Sequence, residues 1–145
     1  MTGSNDPYNL YRFVEAQEPD MSQVKEELRA GKKRTHWMWY VFPQVAGLGK
    51  SPAAEHYAIE LRDEAEAYLA HDILGPRLRE CTEIVNGVEG RSAKDIFGHP
   101  DVLKFRSSMT LFEAVSDNSR LFETALDRYY DNKRCKKTLQ FLSRE

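Results

Sequence analysis

The sequence predicts an all-α fold of seven to nine short helices packed around a central aromatic-rich helix. Three observations carry that expectation. Helix-start and helix-stop residues recur along the whole chain, apolar residues fall at i, i+3 and i+4 spacings between them, and alternating strand patterns of useful length are absent. With 145 residues and no repeat or low-complexity linker, the chain reads as a single domain over 1–145.

Asp6-Pro7 is an N-cap followed by proline in the first turn, and Leu10, Phe13 and Val14 line one face of the first helix. Asp20, with Gln23 three residues on, predicts a second helix with the stripe Met21, Val24 and Leu28 and a stop at Gly31. The aromatic segment His36 to Gln44 follows, and Ser51-Pro52 opens another helix. Leu61 to Leu69 holds good helix formers with Ala65, Tyr68 and Leu69 on one side. Leu74-Gly75-Pro76 reads as a break and restart, after which Leu78, Cys81 and Val85 run helically to Gly87.

Ser92 and Asp95 form the aspartate version of a capping box before Ile96-Phe97. Pro100 starts the longest predicted helix, with Val102, Phe105, Met109 and Phe112 on one side. Asp117-Asn118-Ser119 separates it from Leu121, Phe122, Ala125, Leu126 and Tyr129, and a last helix carries Thr138, Leu139 and Leu142.

Charges are nearly balanced, with a formal net charge of −2, which argues against a dedicated nucleic-acid or anionic-membrane binder. No apolar run reaches the ~20 residues of a membrane helix, and no secretory signal pattern opens the chain. Two scattered cysteines, Cys81 and Cys135, fit a reducing cytoplasm rather than a disulfide framework. A monomer or a homodimer is expected.

Two segments stand out as candidate ligand contacts. Trp37, Met38, Trp39, Tyr40, Val41 and Phe42 run into Pro43-Gln44 and then Gly47-Leu48-Gly49-Lys50-Ser51. A segment apolar on all sides belongs in a core. Alternatively it keeps that burial while a Trp edge and Gln44 line a pocket, with Gly47 and Gly49 as a wall that permits close approach. Gly49-Lys50-Ser51 imitates the end of a phosphate-binding P-loop, but Gln44 stands where the first glycine belongs and no parallel strands accompany it.

The second segment is Asp101 to Thr110. Three hydroxyls in four residues are poor filler inside a helix, because they compete for backbone hydrogen bonds. Lys104, Arg106, Ser107 and Ser108 offer cations and hydroxyls for a phosphate or carboxylate. The bland reading is tight helix packing with the charges reaching outward. His36, His56, His71 and His99 have no zinc-ligand spacing, so no metal is expected, and no cofactor either. No acyl-transfer motif is present.

The strings Arg12-Phe13-Val14-Glu15-Ala16-Gln17, His36-Trp37-Met38-Trp39-Tyr40-Val41-Phe42-Pro43-Gln44 and Lys104-Phe105-Arg106-Ser107-Ser108-Met109-Thr110-Leu111-Phe112 resemble the bacterial family catalogued as domain of unknown function 1810. The resemblance spans nearly the whole chain and implies one all-α domain with no established activity. The name calpastatin, carried by some members, does not fit, since a protease-inhibitor repeat should be disordered. Cys135 stands where relatives tend to carry Asp. A fainter resemblance is to the all-α family that handles NAD-derived and ADP-ribose-type ligands and cleaves N-glycosidic bonds, through the Lys104-Phe105 pair and the later Thr138.

The expectation is therefore a small anionic or nucleotide-like ligand, with Trp37 or Trp39 stacking on a base, Gln44 bonding it, and Lys104, Arg106, Ser107 and Ser108 holding the anion. As an enzyme, the chain would be an N-glycosidase or hydrolase on such a ligand, with Asp101 or Glu64 as the acid to test. The alternative is an interaction or structural domain without catalysis.

Overall fold

The computed structural model describes residues 6–144, which form ten helices and no strand. They are α1 (Tyr11–Gln17), α2 (Met21–Arg29), α3 (Met38–Val41), α4 (Pro52–His56), α5 (Arg62–Ala70), α6 (Leu74–Asn86), α7 (Ala93–Phe97), α8 (Asp101–Val115), α9 (Arg120–Tyr130) and α10 (Lys136–Ser143). The count exceeds the expected seven to nine, with the capped turn before Gly98 standing as a helix of its own, α7. The all-α class holds.

The hub is α8, whose 15 residues touch α3, α5, α7, α9 and α10. Its face is aromatic: Phe105 and Phe112 are fully buried, and Phe105 meets Phe42 edge-on with ring centroids 4.9 Å apart. The aromatic segment itself supplies one helical turn of four residues, which packs onto this hub rather than forming a long central helix. Pro43 follows immediately, and a residue before proline is pushed out of the helical region, as the φ of −124° and ψ of 74° at Phe42 show.

Most capping signals act as read. The Ser51 hydroxyl accepts the Ala54 N–H at 3.1 Å, Ser92 and Asp95 close a full capping box, and Gly31 ends α2 at a φ of +72°. Asp6 caps from further away: its carboxylate accepts the N–H groups of Leu10 and Tyr11, so α1 starts at Tyr11 and not at Pro7. Asp20 does not cap α2, because its carboxylate accepts the Tyr40 hydroxyl instead.

The expected break at Gly75-Pro76 lies earlier. The chain turns at Asp72-Ile73, and Pro76 occupies the first turn of α6, where its missing N–H costs nothing. A Cβ on Gly75 would stand 2.2 Å from the Leu69 carbonyl oxygen, so only glycine lets α5 and α6 approach this closely.

Glu27 is the buried carboxylate on which the aromatic segment hangs. It is 0% exposed and accepts the N–H groups of Arg34 and Thr35, the Thr35 hydroxyl, the Gln23 amide and the Trp37 indole N–H at 3.0 Å. Burial alone would raise its pKa, but the hydrogen bonds from Thr35, Arg34, Gln23 and Trp37 outweigh it and lower the value from 4.5 to about 2. A carboxylate depressed on folding contributes stability that is full above about pH 4.5 and is lost as pH falls towards 2. Urea unfolding between pH 5 and pH 3 should therefore show a fall in stability that Glu27→Gln flattens. Equal slopes for both proteins would remove this role from Glu27.

Candidate functional site

A cavity of about 730 Å³ opens between α8, the loop before α4, and the α9–α10 connection. That volume is within the range of small-molecule sites. Gln44 and Leu48 come from the loop, Pro100, Leu103, Lys104, Arg106 and Ser107 from the start of α8, and Lys133 to Lys137 with Leu139 from the connection and α10. The lining combines apolar side chains with several cationic ones.

Gln44 is held firmly. The residues around it form an isolated parallel bridge, Val45 to Ile59, in which the Gln44 carbonyl accepts the Ile59 N–H at 2.8 Å and the Ala46 N–H reaches the Ile59 carbonyl at 2.9 Å. Its side chain is 7% exposed, yet the amide Nε2 has no protein partner. Buried polar groups are nearly always satisfied, so this unpaired amide on a residue of the cavity lining stands out. Arg106 behaves alike: its guanidinium lies 5.8 Å from the Tyr130 ring centroid, while Nε is buried without a partner.

The hydroxyl-rich stretch of α8 has a clear use. Ser107 Oγ donates to Cys135 Sγ at 3.2 Å, and Thr110 Oγ1 accepts the Cys135 N–H at 3.0 Å while donating to the Arg106 carbonyl at 2.8 Å. Two of the three hydroxyls thus dock the start of α10 onto α8. Ser108 is fully buried beside them, with its Oγ unpartnered and off the cavity wall. Arg134 fixes the connection from the other end through a two-pronged ion pair with Glu113, its Nε at 2.9 Å from Oε1.

Gln44, Lys104, Arg106 and Ser107 of the expected ligand residues meet on this cavity; Trp37, Trp39, Gly47, Gly49 and Ser108 do not line it. Trp37 is 2% exposed and belongs to the core. Trp39 is half-buried behind the wall, with Lys104 Nζ over its ring at 3.9 Å. Gly49 supports that arrangement, because a Cβ there would lie 3.0 Å from Trp39 Cη2 and 2.8 Å from the Ala54 Cβ. Gly47 takes a φ of +94° and turns the loop that presents Leu48.

Neither proposed acid reaches the cavity. Asp101 is bound by Lys33 at 2.7 Å and by Lys104 at 3.1 Å. Glu64 is paired with Arg12 at 2.8 Å and accepts the Glu60 N–H at 2.9 Å. Among the described residues no carboxylate lines the cavity, and no cluster of His, Cys, Asp or Glu is arranged to hold a metal ion.

Cys135, Lys133, Lys136 and Lys137 also line the cavity, and none of them stands out as a ligand contact in the sequence. The signal was present in the hydroxyls of α8, whose partners lie 25 to 28 residues away. A second concavity of about 660 Å³ lies between Asp6–Val14 and α5. Two of its polar side chains are already engaged in capping: Asp6 as above, and His71 Nδ1 accepting the Ile73 and Leu74 N–H groups at 3.1 and 3.2 Å.

The model of the family described as "Protein of unknown function (DUF1810)" matches residues 7–142. The chain belongs to that family. A crystal structure of the conserved hypothetical protein Rv1873 from Mycobacterium tuberculosis is similar to it, with 54% sequence identity and a TM-score of 0.94 over 95% of this chain and 99% of that chain. No curated protein matches the chain. The family and its solved relative thus agree with the all-α architecture and carry no reaction with them. Among the described residues no helix is long and apolar enough to cross a membrane.

Proposed function

We propose that this family member is a binding domain for a small anionic, nucleotide- or ADP-ribose-like ligand, held in the cavity between α8, α10 and the Gln44–Leu48 loop. The observation that carries the reading is the unpartnered, almost fully buried Gln44 amide on the wall of a cavity with a cationic flank. Leu48, Leu103 and Leu139 offer an apolar surface to a base or ribose. Gln44 supplies the directional hydrogen bond, and Arg106 with Lys133, Lys136 and Lys137 balances phosphate charge.

The reading is of binding and not of glycosidic cleavage, because both candidate acids are held in ion pairs elsewhere. It treats residues 1–145 as one domain, monomeric or paired with a second copy, working in the cytoplasm, where two unpaired thiols persist. The alternative, an interaction domain, draws on the apolar concavity near Tyr11 and Ile73, which are 55% and 41% exposed.

Thermal unfolding in the presence of nucleotides, ADP-ribose and inorganic phosphate tests the reading. A true ligand at 100 times its Kd adds about 2.7 kcal/mol, which raises Tm by roughly 5–10 °C for a domain of this size. Arg106→Ala and Gln44→Ala should each abolish most of that shift. A shift that both variants retain, or none from any nucleotide-like anion, contradicts the proposal.

A further inference from the structure

We propose that Cys135 is a site of covalent modification: from the wall of the cavity it exchanges with anionic low-molecular-weight disulfides and carries the resulting mixed disulfide. This does not depend on which reversible ligand the cavity takes.

Four features of the structure converge on the sulfur. Cys135 is the N-cap residue of α10, an eight-residue helix whose first-turn N–H groups begin beside it, although its Sγ caps none of them. Ser107 Oγ donates to that sulfur at 3.2 Å from the neighbouring helix. The cavity gives Cys135 access, and its flank is cationic, with Arg106, Lys133, Lys136 and Lys137 and no carboxylate among the described lining residues. Gln44, more than nine-tenths buried with its amide unpartnered, lines the same space and offers a hydrogen bond to an incoming molecule.

The electrostatics agree with this geometry. Burial pushes the Cys135 thiol up, but the Ser107 hydroxyl and the backbone N–H groups of Thr138 and Lys137 outweigh it, so the thiol lies below its ordinary value. Cys81 is the opposite case within the same chain. It is fully buried on α6, and burial pushes its thiol up to about 12.

The exchange is balanced, with the incoming disulfide as the oxidant. The Cys135 thiolate attacks one sulfur of a carboxylate-bearing disulfide, and a bond forms from Cys135 Sγ as the disulfide bond breaks. The electron pair leaves on the second sulfur, which takes up the proton that Cys135 released. Cys135 is oxidised to a mixed disulfide and the departing half is reduced to a thiol. The cationic flank favours a negatively charged reagent, which sets the specificity.

Native full-length protein treated with the dianionic 5,5′-dithiobis(2-nitrobenzoate) and with the neutral 2,2′-dithiodipyridine tests this, with adducts located by peptide mass mapping. The expected result is one adduct, at Cys135. Its rate relative to a free thiol should be about tenfold greater with the dianion than with the neutral reagent, and this advantage should shrink in high salt. Cys135→Ser, which keeps a good N-cap, should unfold at the wild-type temperature and take up no reagent. Modification that appears only after unfolding, or a native rate with no preference for the anion, overturns the proposal.

Discussion

Replacing Trp37 by alanine is expected to destabilise the protein by about 3–5 kcal/mol, the cost of deleting a large buried aromatic side chain. Trp37 is 2% exposed, packs against Phe42 with ring centroids 6.2 Å apart, and donates its indole N–H to Glu27. The substitution removes apolar contacts and one of the hydrogen bonds that hold a buried carboxylate ionised. Trp37→Phe should recover much of the packing and leave the Glu27 deficit. Denaturant unfolding of both variants checks this, and a loss below about 1 kcal/mol for the alanine variant would show that Trp37 is not a core residue.

Arg12→Ala is expected to cost a similar amount, about 3–5 kcal/mol, for a different reason. The Arg12 guanidinium ties together separate parts of the chain: it donates to the carbonyls of Tyr8, Asn9, His56 and Ala58 and pairs with Glu64 at 2.8 Å. Side chains of this pair are 11% and 5% exposed, so removing the arginine strands a buried carboxylate. Arg12→Ala combined with Glu64→Gln should recover part of the loss, because the stranded charge is then gone. A double variant no more stable than Arg12→Ala would contradict the ion-pair explanation.

Local signals in the sequence were sufficient where the physics is local. The Ser51-Pro52 start, the Ser92–Asp95 capping box, the Gly31 stop and the long helix after Pro100 each depend on a few adjacent residues, and each stands as read. Asp20 reads as an N-cap by the same logic, but a partner far along the chain, Tyr40, takes its carboxylate. Glu27 lies three residues after the buried Val24, on the core face of α2, yet a glutamate there reads as solvated until the turn that wraps it is seen.

The candidate site was half legible for the same reason. Gln44, Lys104, Arg106 and Ser107 were conspicuous by residue type, and they do line one cavity. Trp37 and Trp39 were equally conspicuous but serve the fold, one through Glu27 and the other beneath Lys104. The opposite wall, from Lys133 to Lys137, was missed because it is brought in by tertiary contacts of Ser107 and Thr110 with Cys135.

The cavity between α8, α10 and the Gln44 loop is proposed to recognise a nucleotide-like anion. Titrating ADP-ribose into isotopically labelled protein and following amide chemical shifts tests it most directly. Saturable shifts are expected at the Gln44 side-chain amide and at the backbone N–H groups of Arg106, Ser107, Lys137 and Thr138. Saturable shifts confined to the concavity near Tyr11 and Ile73, or no saturable shifts on the cavity wall, would contradict it.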